Sequence, residues 1–218
     1  MQCKIAPLKR RCDNTPVANH IGFWVQTLYF CRSMAALLRK IKQGIGDRIL
    51  RREIEPVRLR SGSNFRSAQR VGIIYQDVDK PYYDRLQEFG SHLKAKYDIK
   101  VVHLLAFVDE KEKKLPEYQR QRVDSEFFTR QDLNWHLKPI QNVSNFITQD
   151  FDLLIDFSGG KIVPLNFVLK ESIARMKVGM RGTPAERYCD FIIDMGDQFG
   201  VEKFIEQLNL YLSNPKIK

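Results

Sequence analysis

The chain has 218 residues, 43% hydrophobic and 28% charged, which excludes a disordered tail, a collagen-like chain and a coiled coil and suffices for one domain with a real core. No uninterrupted apolar run reaches the roughly 18 residues of a membrane span. The formal net charge of +10 is unevenly placed: residues 1–70 hold 15 Lys+Arg against 4 Asp+Glu, and the remainder is close to neutral.

Residues 1–33 differ from the rest, with Cys3, Cys12, Cys31, Pro7, Pro16 and one apolar run, Ile21 to Cys31. That run has the length of a signal-peptide core, but Arg32, Arg39, Lys40 and Lys42 follow it, so secretion is disfavoured. The favoured expectation is a disordered or over-extended segment ahead of a start at Met34. The alternative is an organellar transit peptide, since Asp13 is the only acid before Asp47. The four cysteines show no C-x-x-C pair, so no zinc site is expected, and their scatter suits a reducing cytosol. Cys189, beside Phe191-Ile192-Ile193, reads as a small hydrophobe rather than a nucleophile.

From Met34 the apolar residues Leu37, Leu38, Ile41, Ile45, Ile49 and, near them, Leu50 keep i, i+3, i+4, i+7 spacing. This predicts an amphipathic helix whose other positions carry Arg39, Lys40, Lys42, Arg48, Arg51 and Arg52 and which ends before Pro56. Gly44 and Gly46 weaken its middle by about 1 kcal/mol each relative to Ala, so a surface it docks on is expected to order it. The positive stretch continues through Arg58, Arg60, Arg66 and Arg70, with Ser61-Gly62-Ser63-Asn64 expected as a flexible linker. The stripe either packs on the protein's own core or meets a polyanion.

Beyond Arg70, strands and helices alternate. Strands are predicted at Val71–Tyr75, Ile99–Val108, Phe127-Phe128, Phe151–Phe157, Met176–Met180 and Phe191–Met195. Asp79 reads as an N-cap, with Pro81 in the first turn of a helix to Tyr97. Asp109–Glu117 reads as a charged loop. Further helices are predicted over Val143–Gln149, Val163–Arg175 and about Val201–Leu212, with Thr183-Pro184-Ala185-Glu186 as a capping box. The expected fold is a three-layer, Rossmann-like α/β domain of residues 70–214 with a mostly parallel sheet, preceded by a basic helix and linker at 34–69.

In such sheets ligands bind beyond the carboxyl ends of the strands. There the first strand is followed by Gln76, Asp77 and Asp79 with no G-x-G-x-x-G, which argues against a dinucleotide site. Ser158-Gly159-Gly160-Lys161 resembles an anion-binding turn, although a tight strand-to-helix turn also uses glycine. Trp135 and His136, beside Asp132 and Asn134, either line a pocket or stack on a base; otherwise Thr129 or Asp132 caps a turn and Trp135 covers the core. His20, His92, His103 and His136 are scattered, and neither a metal site nor a cofactor is expected.

Phe127-Phe128, Asp132-Leu-Asn-Trp135, Phe151-Asp-Leu-Leu-Ile-Asp156-Phe-Ser158, Lys177-Val-Gly179 and Phe204-Ile-Glu-Gln207 together resemble an uncharacterised Bacteroidota domain-of-unknown-function family. The likeness spans roughly residues 34–214. It implies one Rossmann-like domain behind a basic helix, a bacterial cytoplasmic setting, and no catalytic residues to carry over. A second likeness is to the first domain of heptosyltransferase-type glycosyltransferases. Asp152–Asp156, a small-residue turn, a helix and Lys177-Val-Gly179 occur there in the same order.

Two functions follow as expectations. The first is a cytoplasmic, non-enzymatic binding protein whose arm docks on structured RNA or the ribosome, or else on an acidic membrane surface. Its contacts are Arg39, Lys40, Lys42, Arg48, Arg51, Arg52, Arg58, Arg60 and Arg66. The alternative is an enzyme or sensor that holds a small phosphorylated ligand at Ser158, Gly159, Gly160 and Lys161, with Trp135 nearby and Asp77 or Asp156 as base, as in a glycosyltransferase-like half domain.

Overall fold

The computed structural model describes residues 20–109, 124–196 and 200–214, the side chains of 20–33, 35 and 36 excepted. Beyond Asp109, the expected charged loop lies outside the described residues. The strands are β1 (Arg70–Gln76), β2 (Val101–Val108), β3 (Ser125–Thr129), β4 (Leu153–Asp156), β5 (Met176–Met180) and β6 (Phe191–Ile193), most of them built on apolar runs. They make one six-stranded sheet in the order β3-β2-β1-β4-β5-β6, and every pairing is parallel. The helices are α1 (His20–Arg52), α2 (Lys80–Tyr97), α3 (Ser144–Ile147), α4 (Val163–Glu171) and α5 (Val201–Leu212).

The sheet is apolar on both faces because both are covered, as parallel sheets require. Along β1, Val71, Ile73 and Tyr75 point into one core with Leu86 and Phe89 of α2 and Phe204 and Leu208 of α5. Ile74 points to the other side, where Phe146 of α3, Phe167 of α4 and Leu50 of α1 pack. A fully buried side chain of this size contributes about 1.5–3 kcal/mol. The fold is the expected three-layer, Rossmann-like α/β architecture. Asp79 caps α2 as expected, its carboxylate accepting the Tyr82 N–H at 2.8 Å, with Pro in the first turn.

Several local expectations are corrected. Helix α1 begins at His20, ahead of the periodicity that starts at Met34. Helix α4 stops at Glu171 rather than Arg175, because Ser172 is extended (φ −60°, ψ 139°) and leads the chain into β5. Thr183 does not cap a helix: its hydroxyl donates to the Met180 carbonyl (2.9 Å), and Pro184–Tyr188 is a short 3-10 turn. The Glu186 carboxylate instead accepts the Gly182 N–H at 2.9 Å.

Residues 53–69 are not a free linker. The Ser61 N–H donates to the Arg175 carbonyl (3.3 Å) and the Phe65 N–H to the Leu212 carbonyl (2.8 Å). Phe65 is fully buried between Phe89 and Tyr97 of α2, at ring distances of 6.1 and 5.3 Å. The anchor is the aromatic ring two residues beyond the Ser-Gly-Ser run, where one apolar residue outweighs the small polar ones before it.

The chain divides into two compact units, Met1–Ile41 and Lys42–Lys218. The sheet, its covering helices and the last part of α1 all belong to the second; the described portion of the first is helical throughout.

Candidate functional site

The strand order reverses direction between β1 and β4, the place where open α/β sheets hold ligands. Pairing of Ile74 with Asp156 brings Asp77 and Ser158–Lys161 to that one edge. The topology therefore unites residues separated by about eighty positions in the sequence.

The polar groups of Ser158 and Gly160 are engaged within the fold. The Ser158 N–H (2.8 Å) and hydroxyl (2.6 Å) both donate to the Asp156 carboxylate, and the Gly160 N–H donates to the Ser158 hydroxyl (3.2 Å). Asn166 of α4 donates its amide to the Gly160 carbonyl at 2.9 Å. Gly159 and Gly160 have φ values of 65° and 66°, which disfavour any residue with a Cβ. A Cβ on Gly160 would also lie 2.8 Å from that of Ala185, so its small size serves close packing against the 183–185 segment. Burial pushes the Asp156 carboxyl up to about 6, against the lowering effect of its bonds from Ser158 and Gly160. Burial, and next the Asp156 carboxylate, also raise the phenol of Tyr82, whose hydroxyl donates to the Phe157 carbonyl (2.9 Å). An anion at this turn would meet a buried carboxylate and N–H groups already bonded to it.

Helix α1 presents a different arrangement. Its last turns dock on the body at Gly46, where a Cβ would stand 2.6 Å from the His136 carbonyl oxygen, and at Leu50, which is 2% exposed. The small residue read from sequence as a weak point is thus the contact that admits the helix. Buried Lys170 donates to the carbonyls of Leu50 and Glu53, capping the end of α1, and Lys138 pairs with Glu53 and Glu171.

The predicted stripe keeps one face up to its last residue: at 100° per residue, Met34, Leu37, Leu38, Ile41, Ile45 and Ile49 share an arc of about 120°, whereas Leu50 falls roughly 160° round from Met34, on the docked side with Gly46. Met34, Leu37, Leu38 and Ile41 are exposed, Leu37 by 52% and Leu38 by 53%, while Ile45 and Ile49 are half-buried. Arg39, Lys40, Lys42, Arg48, Arg51 and Arg52 are exposed as well.

Other candidate residues part company here. The Arg58 side chain is only 3% exposed; it donates to the carbonyls of Ala174 and Arg175 and to Asp190 (2.7 Å), which removes it from any set that meets an outside polyanion. Arg60 is exposed but faces Glu55 and Asp190, and Arg66 donates to the Ser213 carbonyl. Trp135 does not cover the core; it is 64% exposed. The capping expectation for its loop holds, Thr129 and Asp132 forming a capping box around a short 3-10 turn. Burial, then the Asp156 charge, pushes the Cys189 thiol well above its ordinary range, which disables it as a nucleophile.

Two lysines, 170 and 177, are buried, and the sequence reading gave neither a role. Lys177 donates to the Lys170 carbonyl (2.9 Å), and burial, followed by the Arg58 charge, lowers its amine to about 8. For Lys177 the available signal was its place in the otherwise apolar strand Met176–Met180.

Among solved structures the chain is similar to E. coli heptosyltransferase WaaC with ADP, at 17% identity and a TM-score of 0.43, over 68% of this chain and 49% of that one. It is also similar to E. coli heptosyltransferase WaaC with ADP-2-deoxy-2-fluoro heptose, at 18% identity and a TM-score of 0.42, over 68% and 50%. The chain spans about half the length of these structures. No curated protein matches it. Residues 42–214 match the family of unknown function DUF6913, and the chain belongs to that family.

Proposed function

We propose that α1 is an interfacial helix that holds a Rossmann-like body on an anionic lipid surface. Met34, Leu37, Leu38 and Ile41 enter the boundary between headgroups and acyl chains, while Arg39, Lys40 and Lys42 meet lipid phosphates. The observation that carries this reading is the exposure of those four apolar side chains on one arc, with exposed basic residues around them. Structured RNA would use the charges and leave the apolar arc in water; a lipid surface uses both. Each Lys or Arg near an anionic membrane contributes about 1 kcal/mol, falling with salt. Among the described residues no helix is long and apolar enough to cross a membrane, which suits a helix lying in the interface. The reading is one of binding, since Ser158 directs both of its donors inward on Asp156.

The test is flotation of the nuclease-treated full chain with vesicles of phosphatidylcholine, with or without phosphatidylglycerol. The protein is expected to float with the anionic vesicles alone, and less so as salt rises. Failure to float with either, together with nuclease-sensitive sedimentation from lysate, would overturn the reading in favour of RNA.

A further inference from the structure

We propose that Arg51 and Arg187, with the hydroxyl of Tyr188, form a site for a phosphate monoester on the α/β body. This goes beyond the reading of α1 as an interfacial helix, because it draws only on residues of the second compact unit, Lys42–Lys218. Arg51 lies in the last turn of α1, and Arg187 and Tyr188 end the 3-10 turn Pro184–Tyr188 between β5 and β6. Buried Lys170 joins these elements: it donates to the Leu50 and Glu53 carbonyls, and its ammonium stands 5.4 Å from the centre of the Tyr188 ring. Burial raises the Asp47 carboxyl against the lowering charges of Arg51 and then Arg187, and raises the Tyr188 phenol against those of Arg187 and then Arg51. The two guanidiniums, far apart in the sequence, therefore stand within electrostatic reach of the same two groups.

Neither guanidinium is neutralised at close range. Asp47 is four residues from Arg51, a spacing that allows an ion pair, yet among the described residues Arg51 and Arg187 have no hydrogen bond or ion pair, and both are exposed. The neighbouring acids are engaged elsewhere, Glu186 accepting the Gly182 N–H (2.9 Å) and Glu55 pairing with Arg60 (3.2 Å). Tyr188 is buried, and among the described residues its hydroxyl has no hydrogen-bond partner. Two like charges and a hydroxyl donor without an acceptor call for a compact anion. A phosphate monoester carries close to two negative charges and three terminal oxygens at neutral pH. Guanidinium forks hold such oxygens in pairs, and the phenol can donate to another. A phosphodiester or a carboxylate brings one charge and two oxygens, and so leaves this donor set partly unused.

The test uses the full chain in two arms. In the first, its melting temperature is followed as inorganic phosphate replaces sodium chloride at constant ionic strength. In the second, its affinity is compared between phosphatidylcholine vesicles carrying phosphatidic acid, a monoester, and others carrying phosphatidylglycerol, a diester, at equal surface charge. A phosphate-dependent rise in melting temperature without a preference among vesicles assigns the site to a soluble phosphate monoester. A preference of about tenfold for phosphatidic acid assigns it to a lipid headgroup. Either effect is expected to be lost in Arg51→Gln/Arg187→Gln and kept in Arg48→Gln/Arg52→Gln, which removes the same charge from exposed positions of α1. An effect that persists in the first variant, or falls equally in both, overturns the inference, as does the absence of both effects in the unmutated chain. A rise given by an oligoribonucleotide, and by neither phosphate nor phosphatidic acid, overturns it in favour of RNA.

Discussion

The Ser158–Lys161 turn and the exposed arc of α1 are both built from residue types associated with anions, yet they differ in where their polar groups are directed. At the turn, Ser158 and Gly160 donate inward to Asp156 and to each other, and Gly160 is pressed against Ala185. On α1, Arg39, Lys40 and Lys42 face water beside Leu37, Leu38 and Ile41, which do the same. Residue type thus nominates a site, but the partners already engaged decide whether it can receive anything. The turn is a structural joint, and the helix carries surface that the fold does not consume.

That contrast can be broken at several points. The largest expected effect is on the body: Phe65→Ala should lower unfolding stability by about 3–5 kcal/mol in a denaturant titration, whereas a true linker residue would leave it unchanged. Gly160→Ala comes next, at about 2–4 kcal/mol, from its positive φ and the contact with Ala185. A glycine kept only for ligand approach would tolerate that change.

Asp156 tests the joint through pH. Its carboxyl, ordinarily about 4 in an unfolded chain, is pushed up to about 6 by burial, so between those values the folded protein holds more protons than the unfolded chain. Wild-type stability should therefore fall as pH rises from about 4 to 6, by on the order of 2–3 kcal/mol relative to Asp156→Asn. Parallel stability curves for the two proteins across that window would show that the carboxyl is not desolvated. The smallest effects are on α1: Arg39→Ala and Lys40→Ala should each cost about 1 kcal/mol in vesicle affinity and less than about 0.5 kcal/mol in stability.

The sequence showed the sheet more clearly than the helix that precedes it. Runs such as Val71–Tyr75 and Leu153–Ile155 are apolar because both faces of a parallel sheet are buried, and that requirement is written locally. The Asp79 cap was legible for the same reason, its bond to Tyr82 spanning three residues. Helix α1 was legible as a helix but not in its use. Its buried edge runs through Gly46, whose value lies in the approach of His136, ninety positions away. Arg58 looked like one more surface charge because Ala174, Arg175 and Asp190, the groups that bury it, are more than a hundred residues distant. At the switch point, the Ser-Gly-Gly-Lys composition was visible, but the use of its donors depended on the placement of Asp156.

The most direct measurement separates apolar insertion from charge alone. Leu37→Gln/Leu38→Gln keeps the net charge and suits a helix, so binding of this double variant and of wild type to phosphatidylglycerol-containing vesicles can be compared at one salt concentration. The account predicts at least a tenfold loss of affinity, from the apolar area no longer removed from water. Equal affinity would mean that α1 is held by its charges alone, and the insertion of its apolar arc into lipid would be contradicted.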